Sequence, residues 1–127
     1  MAYHVVDPSE LEATADYPCD RRSVTEAVGL SNLAVAVYEL QPGEDLAQTY
    51  HYHEQREELF SVTDGTLFVE TPDREYEVPE GSLFVVEPEN PIRPYNPEAA
   101  DESVSVLGVG APQYDPGIPY EPDGESA

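Results

Sequence analysis

Residues 49–65 read Thr49-Tyr50-His51-Tyr52-His53-Glu54-Gln55-Arg56-Glu57-Glu58-Leu59-Phe60-Ser61-Val62-Thr63-Asp64-Gly65. Two of the chain's three histidines stand here, one residue apart. Side chains at i and i+2 of a β-strand leave the same face. His51 and His53 therefore aim two imidazoles at one point. Glu58, or its neighbour Glu57, lies on what reads as the next strand. Two imidazoles and a carboxylate converging from adjacent strands match the donor set of a divalent-metal site. The residues alone leave Glu57 and Glu58 open, since neighbours on a strand face opposite sides. A metal-free alternative also stands. In it the imidazoles line a cavity for an organic ligand or hydrogen-bond internally, and Glu58 pairs with His53, raising its pKa by opposite charge.

On either side, short strands alternate with turn signals. A helical turn is expected in Ser9–Ala15, capped by Asp7 or Ser9. Residues 17–22 read as irregular, and Ser23–Val28 as a strand or a short helix, the strand being favoured, ended by Gly29. Leu33–Leu40, rich in Val, reads as a strand, and Gln41-Pro42-Gly43-Glu44 as a turn. Ala47–His53 and Glu57–Thr63 are the next strands. Asp64-Gly65 signals a hairpin, with Thr66–Thr71 pairing back. Arg74–Val78, Ser82–Val86, Ile92–Asn96 and Glu102–Val109 follow, separated by Pro and Gly. This spacing predicts an all-β fold, an antiparallel sandwich or barrel. The segment from Gly110 carries Pro112, Pro116, Pro119 and Pro122 and few aliphatic residues. It is expected either to be disordered or to wrap the barrel surface through Tyr114 and Tyr120, with disorder from Glu121 onward.

A chain of 127 residues suits one domain with one core. The division expected is residues 1–32 packing on a barrel of residues 33–109, then an acidic, Pro-rich tail of residues 110–127. The chain has 27 acidic residues against five arginines and no lysine, for a formal net charge of −22. Repulsion opposes approach to nucleic acid and to anionic membranes, so neither is expected as a partner. The acids are spread among apolar runs such as Leu33–Tyr38 and Leu83–Val86, which suits a folded domain with an acidic surface. Adaptation to high salt is the reading of that surface, because molar salt shortens the Debye length to about 3 Å and screens the carboxylates. An acidic surface that excludes anions is the alternative. The single Cys19 offers no intramolecular disulfide. No basic and apolar leader and no long apolar window is seen, so a cytoplasmic protein is expected.

Two motifs together resemble the cupin family of small antiparallel β-barrels or jelly rolls. The first runs from Gly43 to His51-Tyr52-His53, four residues, Glu58, six residues, and Gly65. Its leading gap is two residues longer than the family's usual five, which suggests a bulge or longer hairpin. The second begins at Gly81 and ends at Asn96, in register. Glu87 stands at its Pro position, Glu89 at its Gly position and Ile92 at its His position.

The resemblance implies a metal held by His51, His53 and Glu58, with Glu58 favoured over Glu57 by its spacing to Gly65. The family's fourth ligand is replaced by Ile92. Iron, manganese, nickel or zinc would suit such a set, with Glu87, Glu89 or His4 as candidates to complete it. Phe60, Ile92 and Asn96 are expected to line the cavity. Arg93 is expected to point out of the cavity into a structural salt bridge. The functions implied are a small-molecule binding module or a metal-dependent enzyme of the dioxygenase or sugar-phosphate isomerase type. An oligomeric role, as a homodimer joined through outer strands, is also implied.

Overall fold

The computed structural model describes residues 2–121. The expectation of disorder beyond Glu121 lies outside the described residues. Ten short strands account for almost all regular structure. They are β1 (Asp20–Ser23), β2 (Ala34–Leu40), β3 (His51–Tyr52), β4 (Glu57–Asp64), β5 (Thr66–Glu70), β6 (Glu75–Pro79), β7 (Leu83–Val86), β8 (Arg93–Tyr95), β9 (Val104–Ala111) and β10 (Ile118–Pro119). A five-stranded sheet is ordered β1-β2-β9-β4-β7, a three-stranded sheet β6-β5-β8, and β10 pairs with β3. Every pairing is antiparallel.

Period-2 alternation sets the core. On β9, Val104, Val106, Gly108 and Gly110 are buried and the residues between them are not. Ala36 and Leu40 of β2 and Phe60 and Val62 of β4 turn to the same side. Opposite them, Leu67 and Val69 of β5 are fully buried. Gly108 is required by the aromatic packing, since a Cβ there would sit 3.0 Å from the Tyr38 ring and 3.5 Å from Phe60.

The structure differs from the sequence reading in five places. Ser23 ends β1, and Val24–Val28 is a short helix α1. Ser23-Val24-Thr25-Glu26 has the spacing of a capping box, and the Ser23 hydroxyl accepts from the Glu26 N–H at 3.1 Å. Gly29 closes the helix at φ 72°. Residues 17–22 are not wholly irregular, because Asp20–Ser23 pairs with β2. Asp64-Gly65 is a corner between sheets rather than a hairpin: β4 and β5 belong to different sheets, and a bulge follows Val62. Gly65 has φ 80°, and a Cβ on it would lie 2.6 Å from the Ser103 carbonyl. Of residues 47–53, only His51–Tyr52 forms a strand. The helical turn near Ser9 is a 3-10 turn, Pro8–Glu10, capped by Asp7.

The segment after β9 lies on the barrel as far as it is described. β10 adds to β3, and Tyr120 donates its N–H to the Tyr50 carbonyl at 2.8 Å. The Tyr120 and Tyr50 rings lie 5.0 Å apart. Tyr114, expected as a second anchor, is 87% exposed. No helix of the described residues is long and apolar enough to cross a membrane.

Candidate metal centre

His51, on β3, and His53, just beyond it, meet Glu58 of β4 at one end of the barrel. One ligand atom from each of the three lies within 4.8 Å of the others. His53 Nε2 is 3.6 Å from Glu58 Oε2. The two imidazoles meet edge to face, their centroids 5.0 Å apart. Glu57 points outward and is exposed, as strand alternation requires once Glu58 faces in.

Each imidazole has its outer nitrogen engaged. His51 Nδ1 lies 2.8 Å from the Thr49 carbonyl, and His53 Nδ1 lies 2.7 Å from the Asp115 carbonyl. A carbonyl only accepts, so each Nδ1 carries the proton and donates. That fixes the tautomer and leaves Nε2 with its lone pair, the arrangement typical of metal-ligating histidines. The donor set therefore fits a divalent ion of the iron, manganese, nickel or zinc type.

His53 is 8% exposed. Burial holds its pKa below the ordinary imidazole value, outweighing the attraction of Glu58, with Arg56 and His51 adding to the lowering. Glu58 does act to raise the His53 pKa, as the metal-free reading expects, but burial outweighs it and the net shift is downward. A neutral His53 is also the form that ligates.

Ile92, at the position of the missing ligand, stands directly opposite His51 and exchanges both backbone hydrogen bonds with it, at 3.2 and 2.9 Å. Its side chain is buried in the core and borders a hollow lined also by Phe84 and Val86, and it is not among the residues lining the cavity of the two histidines. Asn96 is 1% exposed, and its Nδ2 donates to the Leu40 and Glu102 carbonyls, tying two loops to the core. Phe60 lines the cavity beside the three ligands. His4, Glu87 and Glu89 are exposed, and none joins the group of three. Arg93 points away, holding Asp45 through two bonds at 3.1 and 3.0 Å and Glu70 at 3.0 Å.

The sequence reading missed several residues at the site. Arg56 lies 3.5 Å from Glu58 Oε2 and donates from Nε to the Pro112 carbonyl at 3.1 Å and from Nη2 to the Gln113 carbonyl. The Asp115 carboxylate accepts the Gln55 and Arg56 backbone N–H groups, each at 2.7 Å. Gly117 is pressed against His51, where a Cβ would come within 2.8 Å of the ring. Tyr17, Arg21, Tyr38 and Leu46 complete a cavity of about 290 Å³. The one signal in the sequence that could have found Arg21 and Arg56 is scarcity, since they are two of only five arginines.

Residues 36–109 match the family model described as Cupin domain. No curated protein matches the chain. Among solved structures, a protein with a double-stranded β-helix domain from Klebsiella pneumoniae superposes with a TM-score of 0.74 at 17% identity, covering 94% of this chain and 98% of that one. Polyketide cyclase RemF from Streptomyces resistomycificus gives 0.72 at 18% identity, covering 90% and 82%. A sugar phosphate isomerase of a cupin superfamily from Silicibacter pomeroyi gives 0.70 at 25% identity, covering 85% and 75%. These likenesses are of fold.

Proposed function

The chain belongs to the cupin family, and on that premise we propose that it binds a small molecule in the barrel beside a divalent metal held by His51, His53 and Glu58. The observation that carries this reading is the pair of Nδ1–H donations to the Thr49 and Asp115 carbonyls, which leaves both Nε2 atoms available beside Glu58. A bound ion would polarise an oxygen of a ligand placed in its open positions. The protein's part is to fix both tautomers, keep His53 neutral and wall the site with Phe60 and the segment carrying Asp115.

Metal analysis of protein purified in high salt, without nickel affinity resin, tests the reading. About one divalent ion per chain is expected in the wild type and in Glu57→Gln. His51→Ala and Glu58→Gln should lose it. Metal-free wild type, or full occupancy in Glu58→Gln, would overturn the assignment.

A second reading, a metal-dependent enzyme of the dioxygenase or sugar-phosphate isomerase type, is favoured by the open coordination positions that three protein ligands leave.

Association as a homodimer is supported by the outer face of the five-stranded sheet. Val85, Leu59, Val109 and Val35 lie in register across four strands, and Leu83, Ser61, Leu107 and Val37 form the next row. The first row carries no charge, in a chain of net charge −22, and the second meets one only at its end, where Arg22 of β1 stands opposite Val37. Val85 is 66% and Leu83 57% exposed. Function in high salt is supported by the same net charge, and a cytoplasmic setting by the lone Cys19, which is buried and free.

A further inference from the structure

Arginine is rare in this chain, and the placement of each of the five is informative. Arg22 pairs with Asp20, Arg56 with Glu58, and Arg93 with Asp45 and Glu70. Arg74 is exposed in a turn and lies over the Tyr76 ring. Arg21 is different. It is half-buried in the wall of the cavity that holds His51, His53 and Glu58, yet it makes no ion pair among the described residues. Carboxylates outnumber arginines by 27 to five, so a partner was available to selection. Withdrawing a cation from water without a counter-charge is costly.

The surroundings hold Arg21 in place without neutralising it. Its Nη1 donates to Thr14 Oγ1 at 2.9 Å, and its guanidinium lies 5.4 Å from the Tyr17 ring centre. Tyr38 stands directly opposite on β2 and lines the same cavity. The Tyr38 side chain is also close enough to share a hydrogen bond with the guanidinium, and among the described residues no carboxylate takes its remaining donors. A second hollow of about 310 Å³ shares Arg21, Tyr38, Arg56, Glu58 and Phe60 with this cavity as lining residues.

The geometry points to Arg21 as the anchor for the oxyanion of a small organic acid, a carboxylate or a phosphate ester, whose other end faces His51, His53 and Glu58. The assignment of the second end rests on the metal reading given above. A guanidinium fork matches both oxyanions bidentately. A divalent ion set against the single carboxylate Glu58 leaves the site positive, and Arg56 and Arg21 add to that charge. The rings of Tyr17, Tyr38 and Phe60 supply apolar wall for the body of the ligand. A cavity of 290 Å³ has the volume of roughly ten waters, which selects a small molecule over a polymer. The acidic surface repels anions at long range, but in molar salt that repulsion reaches only about 3 Å. Short-range contacts inside the cavity then decide binding.

The test is calorimetric titration of metal-loaded and chelator-treated protein with benzoate and with glycerol phosphate, each in the same high-salt buffer. Wild type is expected to bind at least one probe, and the preferred probe identifies the oxyanion. Arg21→Gln should weaken that binding tenfold or more while retaining the bound metal, and Arg74→Gln should leave it unchanged. Arg21→Lys keeps the charge but loses the fork. It serves if the glutamine variant does not fold, and it should bind about tenfold more weakly. Binding of neither probe by wild type, or undiminished binding by the Arg21 variant, overturns the proposal. Arg21-dependent binding that is equal in metal-loaded and chelator-treated protein would overturn the assignment of the second end to the metal and leave the oxyanion anchor standing.

Discussion

His53 shows why position outranks sequence neighbourhood. A carboxylate 3.6 Å from Nε2 favours the imidazolium, but burial at 8% exposure favours the neutral ring, and burial wins. The pH dependence follows from that sign. The ordinary imidazole value is 6.5 and the folded value lies lower. Below 6.5 the unfolded chain takes up a proton that the folded chain refuses. The stability contributed by neutral His53 is thus fully present above 6.5 and is lost as pH falls toward the folded value. Surface carboxylates act oppositely, since their protonation relieves repulsion, but a variant shares that effect. Urea unfolding of chelator-treated protein at pH 7.5 and 5.5 separates the two. The wild-type midpoint should fall more, or rise less, than that of His53→Gln. An equal change in both proteins would show that burial does not govern this ring.

At the scale of the element, the segment from Ala111 to Tyr120 is part of the site. The Asp115 carbonyl fixes the His53 tautomer, while its carboxylate clasps two backbone N–H groups of the β3–β4 connection. Those two bonds hold the Asp115 pKa below the usual carboxylate value. Asp115→Ala keeps the carbonyl but releases the clasp. Metal affinity, measured by competition with a chromophoric chelator, should fall about tenfold, at the low end of the range for such supporting contacts. Unchanged affinity would show that β10 and the backbone alone hold the segment. The sequence allowed this Pro-rich run to wrap the barrel through Tyr120, but nothing in it pointed to the contacts of Asp115. What was legible had a local cause. The i, i+2 spacing placed His51 and His53 together, and alternation and turn residues gave most strands, while only the resemblance to the family motif, through its spacing to Gly65, favoured Glu58 over Glu57. What was not legible depended on tertiary partners. Asp64-Gly65 has hairpin chemistry, yet the bulge after Val62 sends the chain into the other sheet. Arg21 gains its meaning only when β1 pairs with β2.

At the scale of the whole molecule, two features pull against each other. The outer sheet face presents an uncharged apolar ladder through Val85, Leu59, Val109 and Val35. Everything else is dominated by a net charge of −22. Bringing two copies together through the ladder buries apolar surface, worth roughly 25 cal/mol per Å², but it also brings two strongly like-charged bodies into contact. The repulsive part depends on ionic strength. It extends over about 10 Å at 0.1 M salt and about 3 Å at 1 M. The apolar part is not screened, and ions excluded from the protein surface strengthen it. Homodimer affinity should therefore rise steeply with salt, as should the stability of the fold. Sedimentation velocity and circular dichroism over a series from dilute to molar KCl measure both. A dimer at molar KCl that dissociates on dilution, with loss of β signal at low salt, is the expected course. Val109→Glu places a charge at the centre of the ladder on β9 and should keep the protein monomeric at molar KCl while leaving its β spectrum intact. A wild type that is monomeric at every salt concentration would show that the ladder does not meet its own copy. A fold unchanged at low salt would show that the acidic surface serves some purpose other than tolerance of salt.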